Sequence, residues 1–293
     1  MTASYVSEIE AGQRFEFGKN WQGFLSLIDE SRIRIAEDAT RAMLGGSSLE
    51  GKTFLDIGSG SGLFSLAALR LGAALVRSFD FDPHSVECTR ALKQRFFSSC
   101  ANWTIEQGSA LDADYLKSLG QFDVVYSWGV LHHTGNMWQA LQNVVSLVAP
   151  NGLLFISIYN HQPFMTPYWK VIKRIYNRLP RLGRFAMGVS FFLSFATGFL
   201  FVDLIRRRNP LRRWAGHDRR GMSMYVDVHD WIGGYPFEVA TPEEIFHFYR
   251  DRGFSLRELK TCGGKSGCNQ FVFVRNVKPS EVDKSVVDQS CAA

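Results

Sequence analysis

Hydrophobic positions near the start of the chain recur at the spacing of an amphipathic helix. Between residues 22 and 45, apolar side chains are separated mostly by three or four positions, and Gly45 and Gly46 close the segment. This spacing collects apolar side chains on one face of a helix, and glycine commonly ends one. The pattern predicts a helix over residues 22–45.

From residue 51 onwards, short apolar runs alternate with longer amphipathic stretches. This alternation is typical of βα units, which build a parallel sheet covered by helices on both faces. The sequence therefore predicts an α/β fold with a doubly wound sheet. The predicted strands are residues 53–57, 76–79, 103–106, 122–127 and 153–159, and the predicted helices are 62–71, 83–97, 113–119 and 137–148.

The alternation stops after residue 159 and resumes at Thr241. Thr241 suits a helix N-cap, Pro242 suits the first turn, and the two glutamates that follow complement the helix dipole. Two further strands, 256–261 and 270–274, flank a glycine-rich turn and predict a terminal hairpin.

Five segments follow from these patterns. They are an N-terminal helical cap (1–50), a ligand-binding core (51–160), an insertion that forms a substrate cap or an interfacial element (161–240), a final helix and hairpin that complete the core (241–276) and a tail (277–293).

The composition is that of a soluble protein with one elaborated domain. Hydrophobic residues make up 46% of the 293 positions and charged residues 21%, which excludes wholesale disorder and leaves ample material for a core. The net charge of +5 is a mild excess that favours anionic partners but is not a nucleic-acid signature by itself.

The cysteines and the N-terminus bear on the cellular compartment. The five cysteines are an odd number and include no Cys-x-x-Cys pair, so neither a disulfide framework nor a zinc site is predicted. The first 25 residues carry Glu8, Glu10 and Arg14 and no continuous apolar run, so a secretory signal is not predicted. We expect reduced thiols and a cytoplasmic protein.

A predicted strand runs directly into closely spaced glycines. Gly58, Gly60 and Gly62 follow residues 53–57 and precede a predicted helix. This arrangement lets a ligand approach the backbone at the carboxyl edge of a parallel sheet. A dinucleotide fingerprint would require a glycine where the chain has Leu63, which disfavours NAD.

Two aspartates flank this turn. Asp80, at the end of the second strand, can accept hydrogen bonds from both hydroxyls of an adenosine ribose. Asp56, just before the glycines, adds a second negative charge, which repels a pyrophosphate and attracts the ammonium of an amino acid. The pair favours S-adenosylmethionine over NAD.

Four segments in order resemble the motifs of the class I S-adenosylmethionine-dependent methyltransferases. They are residues 56–62, 79–83, 107–112 and 122–133. The resemblance implies a seven-stranded, Rossmann-like methyltransferase fold, with the helical insertion between strand five and the last helix, and S-adenosyl-L-methionine as cofactor.

The resemblance also implies roles for particular residues. Asp80 would hold the ribose and Phe81 would pack on the adenine. Where the family often has an acidic residue, this chain has Ser109, so Ser109 or the Ala110 backbone would meet the adenine amino group. Trp21 is predicted to line a lid over the cofactor, the alternative being simple packing. Contacts around the methionine part are implied for Asp56, Gly58, Ser59, Gly60, Gly62, Ser127 and Trp128.

Methyl transfer to a hydroxyl requires two reactants held in line and a base, and a metal is optional. His132 and His133 follow the fourth strand, and an imidazole has a suitable pKa for a base. Tyr159 ends the fifth strand, and His229 stands beside Asp230 in the insertion. These four residues, His132, His133, His229 and Tyr159, are the predicted catalytic candidates, against capping, packing or turn roles, and no metal site is predicted.

Residues 185–202 carry no charge, with Arg181 and Arg184 before them and three arginines at 206–208 after them. This length is the lower limit for a membrane span. A single crossing would separate strand five from strands six and seven of the same sheet, so a span is not predicted. We expect a buried lid over an apolar substrate, or peripheral membrane contact through residues 185–208, rather than a structural helix or a dimer contact.

These observations predict a methyltransferase that acts on a small, lipophilic acceptor of quinone, lipid or glycan type, most simply at oxygen. It would be cytoplasmic or peripheral to the membrane, and DNA is not an expected partner. An RNA methyltransferase is the less favoured alternative, suggested by the basic insertion. From other classes, the alternatives are an NAD-dependent oxidoreductase and a non-catalytic S-adenosylmethionine-binding protein.

Overall fold

Seven strands form one sheet in the order β3-β2-β1-β4-β5-β7-β6. The structure, a computed structural model, describes residues 2–46, 48–99, 101–207 and 224–277. All neighbouring strands are parallel except β7, which is antiparallel to β5 and β6. The strands are β1 (Thr53–Ile57), β2 (Leu75–Asp80), β3 (Trp103–Gln107), β4 (Phe122–Trp128), β5 (Val148–Tyr159), β6 (Phe254–Lys260) and β7 (Cys268–Arg275).

Helices cover both faces of this sheet, which confirms the predicted doubly wound, Rossmann-like fold. They are α1 (Thr2–Glu10), α2 (Phe17–Leu25), α3 (Glu30–Met43), α4 (Leu63–Arg70), α5 (Pro83–Phe96), α6 (Ala113–Leu119), α7 (Met137–Val145), α8 (Met165–Arg178), α9 (Arg181–Ile205), α10 (Met224–Gly233) and α11 (Pro242–Arg250), with a 3₁₀ helix at Leu131–His133.

The apolar faces of the helices form a core on each side of the sheet. On one face, α3 and α4 pack on Phe54, Val76 and Val124. On the other, α7 and α11 pack on Leu55 and Val125. Because adjacent strand residues point to opposite faces, Phe54 and Leu55 belong to different cores. Each such buried side chain contributes about 1.5–3 kcal/mol of transfer free energy.

The strand order reverses at β1, since β2 lies on one side of it and β4 on the other. At such a point the connections leave in opposite directions and open a crevice beyond the carboxyl ends of the strands. The glycine turn after β1 therefore lies at the mouth of this crevice.

The N-terminal segment differs from its prediction. In place of one helix over residues 22–45, the structure has α2 and α3, with a break at Ser26–Asp29. Asp29 caps α3, because its side chain accepts a hydrogen bond from the Arg32 backbone nitrogen at 2.9 Å. A side chain that satisfies a free helix N–H group favours starting a new helix there.

The insertion is helical. Helices α8, α9 and α10 meet around Trp169, Tyr176, Ile232 and Phe237. Residues 229–233, for which a turn was the alternative to a catalytic role of His229, lie in α10. Among the described residues, α9 is the one helix long and apolar enough to cross a membrane, by length and composition alone.

A buried lysine connects the insertion to the sheet. Lys173 of α8 is fully buried, and its ammonium group lies 4.8 Å from the Trp231 ring centroid and 5.8 Å from that of Tyr159. It also donates a hydrogen bond to the Trp231 carbonyl oxygen. Burial lowers the pKa of Lys173 to about 7, although nearby Asp230 opposes this shift. The lysine thereby joins α8, α10 and the end of β5.

The predicted start of the last helix is confirmed in detail. The Thr241 hydroxyl accepts from the Glu244 backbone nitrogen, and the Glu244 carboxylate accepts from the Thr241 nitrogen at 2.8 Å. This reciprocal pair is a capping box.

Replacing the capping hydroxyl should therefore destabilise the protein. We expect Thr241→Ala to lower the free energy of unfolding by about 1 kcal/mol, because the Glu244 backbone N–H group loses its hydrogen-bond acceptor. Urea denaturation followed by circular dichroism measures the change. Ser118→Ala, which removes an exposed hydroxyl bonded within its own helix, is the control and should change stability by less than about 0.5 kcal/mol. Equal effects of the two substitutions would contradict the capping role.

Candidate functional site

A cavity of about 1340 Å³ opens at the carboxyl ends of β1, β2 and β4. Its walls come from the glycine turn, the ends of these strands, the N-terminal helices and α10. The predicted residues that line it are Trp21, Asp56, Gly58, Ser59, Gly60, Asp80, Phe81, Ser109, Ala110, Trp128, His133 and Tyr159.

The turn after β1 has room only for glycine at two positions. Gly58 and Gly60 have φ angles of 77° and 55°, which side chains rarely adopt. A Cβ atom on Gly58 would lie 2.4 Å from Val130, and one on Gly60 would lie 2.9 Å from Trp21. The Gly58 and Ser59 nitrogens donate to the Phe79 carbonyl oxygen, which fixes the turn against β2. The backbone here can approach a ligand closely.

Gly62 serves a different purpose from the one predicted. It does not line the cavity, and a Cβ atom there would lie 2.8 Å from Thr89 of α5. The residue begins α4 with a φ of 79°. Its small size lets two helices approach each other, so the predicted ligand contact for Gly62 is corrected to a packing role.

Two carboxylates, the buried Asp56 and the partly buried Asp80, line the cavity at the ends of β1 and β2. Asp80 accepts hydrogen bonds from the Gly60 nitrogen at 3.0 Å and the Asp82 nitrogen at 2.9 Å. Asp56 is 2% exposed. Burial raises the pKa of each to about 7. Between the ordinary pKa of an aspartate and pH 7, these two carboxyl groups are therefore more protonated in the folded chain than in the unfolded chain. Their contribution makes the free energy of unfolding fall as the pH rises towards 7.

A chain of hydrogen bonds behind the sheet holds Asp56. The Ser65 hydroxyl donates to Asp56 at 2.5 Å, Ser65 and Ser78 are 2.7 Å apart, and the Trp103 indole nitrogen donates to Ser78 at 2.8 Å. The single Ser65 hydroxyl proton is donated to Asp56, so Ser78 must be the donor to Ser65. Every donor in the chain points towards Asp56, which favours its ionised form.

The side of the cavity predicted to take adenine has an aromatic wall. Phe81 lines it, and the Arg14 guanidinium lies 4.7 Å from the Phe81 ring centroid. The Ser109 hydroxyl accepts from the Leu111 nitrogen at 3.1 Å and so stabilises its own turn. Asp112, which was not predicted, also lines this side and caps α6 through the Tyr115 nitrogen.

Two predicted residues point away from the cavity. Ser127 is fully buried, and its hydroxyl donates to the Ile57 carbonyl oxygen at 3.2 Å. His132 is also fully buried, and its Nε2 atom has no hydrogen-bond partner among the described residues. Neither lines the cavity. The neighbouring Trp128 does, because consecutive strand residues face opposite ways.

His133 is the histidine of the pair that lines the cavity. Its Nδ1 atom lies 2.6 Å from the Pro236 carbonyl oxygen, so Nδ1 carries the hydrogen and Nε2 is the acceptor nitrogen. Burial lowers the pKa of His133 to about 3, opposed by the Pro236 hydrogen bond. The ring is therefore neutral at pH 7, with Nε2 as its hydrogen-bond acceptor atom.

The other two catalytic candidates are Tyr159 and His229, and the structure describes the side chain of Tyr159 only. Tyr159 lines the cavity, with its ring centroid 5.4 Å from that of His133. The backbone of His229 lies in α10, but its side chain lies outside the described part of the structure. Its neighbour Asp230 lines the cavity and accepts from the Asn20 side chain.

The N-terminal helices contribute cavity residues that sequence reasoning missed. Tyr5, Arg14 and Phe17 line the cavity beside the predicted Trp21. Arg14 donates to the His133 carbonyl oxygen at 3.0 Å and pairs with Glu8 at 2.6 Å. Position 14 reaches position 133 only through the fold, so no local pattern indicates the contact.

The cavity continues as an apolar groove between α3 and the sheet. The Tyr126 ring stacks on Phe64 at 4.9 Å and on Phe155 at 5.1 Å between centroids. Met43 and Val272 line the same part of the cavity. We call these five residues the aromatic groove.

Comparisons with known proteins agree with this geometry. The family model described as a methyltransferase domain matches residues 55–154. A ribosomal protein L11 methyltransferase of Pectobacterium carotovorum is 48% identical over 52 residues, which is 18% of each chain. A ubiquinone biosynthesis O-methyltransferase of Parvibaculum lavamentivorans is 33% identical over 113 residues, 36% of this chain and 40% of that protein.

The fold comparison extends over most of the chain. An O-methyltransferase family protein from Burkholderia thailandensis has a TM-score of 0.51 and 13% identity, covering 84% of this chain and 58% of its own. Residues 55–154 thus match a methyltransferase domain, and the fold over most of the chain is that of an O-methyltransferase family protein. The matches cover less than half the length of the two curated relatives named.

The residues present fit the cofactor of this class. The glycine turn lines the cavity beside the two carboxylates. Burial raises the pKa values of these carboxylates, and a cation at the same place would lower them. Asp56, Asp80 and the turn would hold S-adenosylmethionine, with Trp21 over Gly60.

Cofactor affinity should depend on pH through these carboxylates. Because a cationic ligand prefers their ionised form, we expect affinity for S-adenosylmethionine to increase between pH 6 and pH 8, with release of protons on binding. Calorimetry in buffers of different ionisation enthalpy measures both quantities.

Substitution isolates the contribution of Asp80. We expect Asp80→Asn to weaken binding at least about tenfold at pH 8 and to reduce proton release, because the variant keeps hydrogen-bonding capacity but loses the charge. Asp114→Asn, on the exposed first turn of α6, is the control. Equal affinities and equal proton release in wild type and Asp80→Asn would contradict the assignment.

Proposed function

We propose that the protein transfers a methyl group from S-adenosylmethionine to a hydroxyl oxygen of a small, lipophilic acceptor. The observation that carries the proposal is the continuity of one cavity from the paired carboxylates to the aromatic groove. His133 and Trp128 also line this cavity. The part beside Asp56 and Asp80 suits the polar, charged cofactor, and the aromatic groove suits an apolar acceptor.

The chain's own groups can position the reactants. When bound, the cofactor supplies an electrophilic methyl group. Asp56 and Asp80 hold its charged and hydroxylated parts, and Trp21 and Trp128 exclude water from the space between. Holding two reactants in line lowers the barrier by removing most of their translational and rotational freedom. The neutral His133 can accept a hydrogen bond from the acceptor hydroxyl at Nε2. It takes the proton as the oxygen–methyl bond forms, because the methylated oxygen is then much more acidic than the His133 ring.

The aromatic groove supports a lipophilic acceptor. Phe64, Tyr126 and Phe155 present a stacked series of rings, which favours flat or apolar groups. Glu258 and Lys260 line the same cavity and supply polar groups for orientation.

The alternatives have weaker support. The RNA alternative depends on arginines of the insertion, and those from position 208 to 220 lie outside the described residues. The NAD alternative requires a diphosphate beside Asp56 and Asp80, where two carboxylates would repel it.

A radiolabel transfer assay tests the activity. Purified protein with methyl-labelled S-adenosylmethionine and extracts of quinones, lipids, sugars or RNA should label a component of the apolar extracts. Alkali-stable label that behaves as a methyl ether supports oxygen as the target. Cofactor binding without transfer to any extract would contradict the proposal.

The role of His133 can be tested separately. We expect His133→Asn to lower kcat by about 10²–10⁴-fold with little change in cofactor affinity, because asparagine can keep the hydrogen bond to Pro236 but offers no Nε2 base. The control is His247→Asn, on the exposed end of α11. An unchanged kcat would exclude His133 as the base.

The groove can be blocked from its rim. Ala39 of α3 is exposed and lines the cavity, so Ala39→Trp should fill the acceptor end without disturbing the core. We expect the KM for the acceptor to rise at least about tenfold while calorimetric affinity for S-adenosylmethionine stays unchanged. Arg34→Trp, exposed on the same helix away from the cavity, is the matched control. Unchanged kinetics in Ala39→Trp would place the acceptor elsewhere.

A further inference from the structure

Helices α8 and α9 expose an unusual number of large apolar side chains. Leu182 is 79% exposed, Phe185 62% and Leu193 56%. We call the exposed apolar residues of the two helices the insertion face. Its members are Met165, Tyr168, Val171, Ile175, Leu182, Phe185, Val189, Leu193, Leu200, Phe201, Val202, Leu204 and Ile205.

The part of the insertion face on α9 is strongly apolar and almost entirely exposed. The most apolar 18-residue window of α9 has a mean hydropathy of 2.0, and only 6% of it is buried. A soluble helix normally buries its apolar stripe and exposes polar residues. Between Arg184 and Arg206 the only charged residue is Asp203, which is itself buried. A surface of this kind marks an interaction site.

The opposite side of α9 is held against the protein. Met187, Phe191 and Phe195 pack on the cluster that contains Trp169 and Ile232. A helix that crossed a bilayer would have to give up these contacts with α8 and α10. In addition, β5 precedes α9 while β6 and β7 follow it, and all three are neighbours in one sheet. The helix is therefore held along the surface of the domain.

Positive charge stands at both ends of the insertion face. Arg178 and Arg181 are exposed near the start of α9, and Arg206 and Arg207 are exposed after its end. A helix of 25 residues is about 37 Å long. The arginines at its two ends are therefore separated by a long apolar stretch whose one charged residue, Asp203, is buried. This distribution complements a bilayer surface, with its acyl boundary beneath a layer of anionic headgroups.

We infer that the insertion face binds the surface of a bilayer that contains anionic lipids, with α9 in the plane of the membrane. Its leucines and phenylalanines enter the acyl boundary, and the arginines at its ends contact headgroup phosphates. The docked helices also adjoin the cavity wall, since Trp169 of α8 contacts Trp231 of α10, which lines the cavity.

Flotation with vesicles tests this inference on the full-length protein. Wild type is mixed with vesicles of phosphatidylcholine alone or of phosphatidylcholine with about 30% phosphatidylglycerol, at low and high salt. We expect binding to the anionic vesicles, weaker binding to the neutral ones, and weakening by salt. Extraction with alkaline carbonate should release the protein, since it lies on the membrane and does not span it.

Two variants separate the apolar and cationic contributions. The triple variant Leu182→Ser, Phe185→Ser, Leu193→Ser should lower the partition coefficient at least about tenfold on both vesicle types. The double variant Arg181→Gln, Arg206→Gln should lower it on anionic vesicles only. The matched control is Leu27→Ser, Leu259→Ser, which removes leucines of 43% and 44% exposure outside the insertion face.

Other results would overturn the inference. These are absence of wild-type flotation with anionic vesicles, equal flotation of the triple variant, or resistance to carbonate. A vesicle-free dimer that the triple variant dissociates, together with no vesicle binding, would assign the face to a second copy of this chain. Calorimetry with S-adenosylmethionine on the same samples shows that the variants are folded, and it distinguishes this failure from failure of the proposed function.

Discussion

The cavity is organised around two carboxylates that lie on adjacent parallel strands. Asp56 is next to the end of β1 and Asp80 ends β2, and burial raises the pKa of each to about 7. Charged groups are costly to bury unless they are paired, so this part of the chain is stable at neutral pH only at some cost. A positively charged ligand relieves that cost. The glycine turn and the switch in strand order lie at this same place.

Local patterns predicted the sheet and its turn because their causes are local. Alternation of apolar runs set the strands to within a few residues, except β5, which starts at Val148 rather than 153 across an irregular pairing with β4. The sequence also predicted the N-cap of α11 at Thr241, because capping depends on neighbouring residues. The apolar spacing continues through Asp29, so the pattern predicted one helix where the structure has α2 and α3. The break arises because the Asp29 side chain caps the start of α3.

The site was predicted less completely, for two physical reasons. Orientation within a strand changes with every residue, so Trp128 faces the cavity and Ser127 does not. Contacts across the sequence are invisible to local patterns, as for Arg14, which hydrogen-bonds to the backbone at position 133. The sequence left two alternatives open for α9, a buried lid and peripheral membrane contact, because local patterns do not show which helix faces are covered. Only 6% of its most apolar window is buried, which favours the second alternative.

Hydrogen bonds connect Asp56 in the cavity to the edge of the sheet through Ser65, Ser78 and Trp103. Trp103 lies on β3, at the edge of the sheet, and does not line the cavity. Its indole nitrogen donates to Ser78, whose hydroxyl donates to Ser65, and Ser65 donates to Asp56. The ionised form of Asp56, which attracts a cation, is thus supported by a residue at the sheet edge that does not line the cavity.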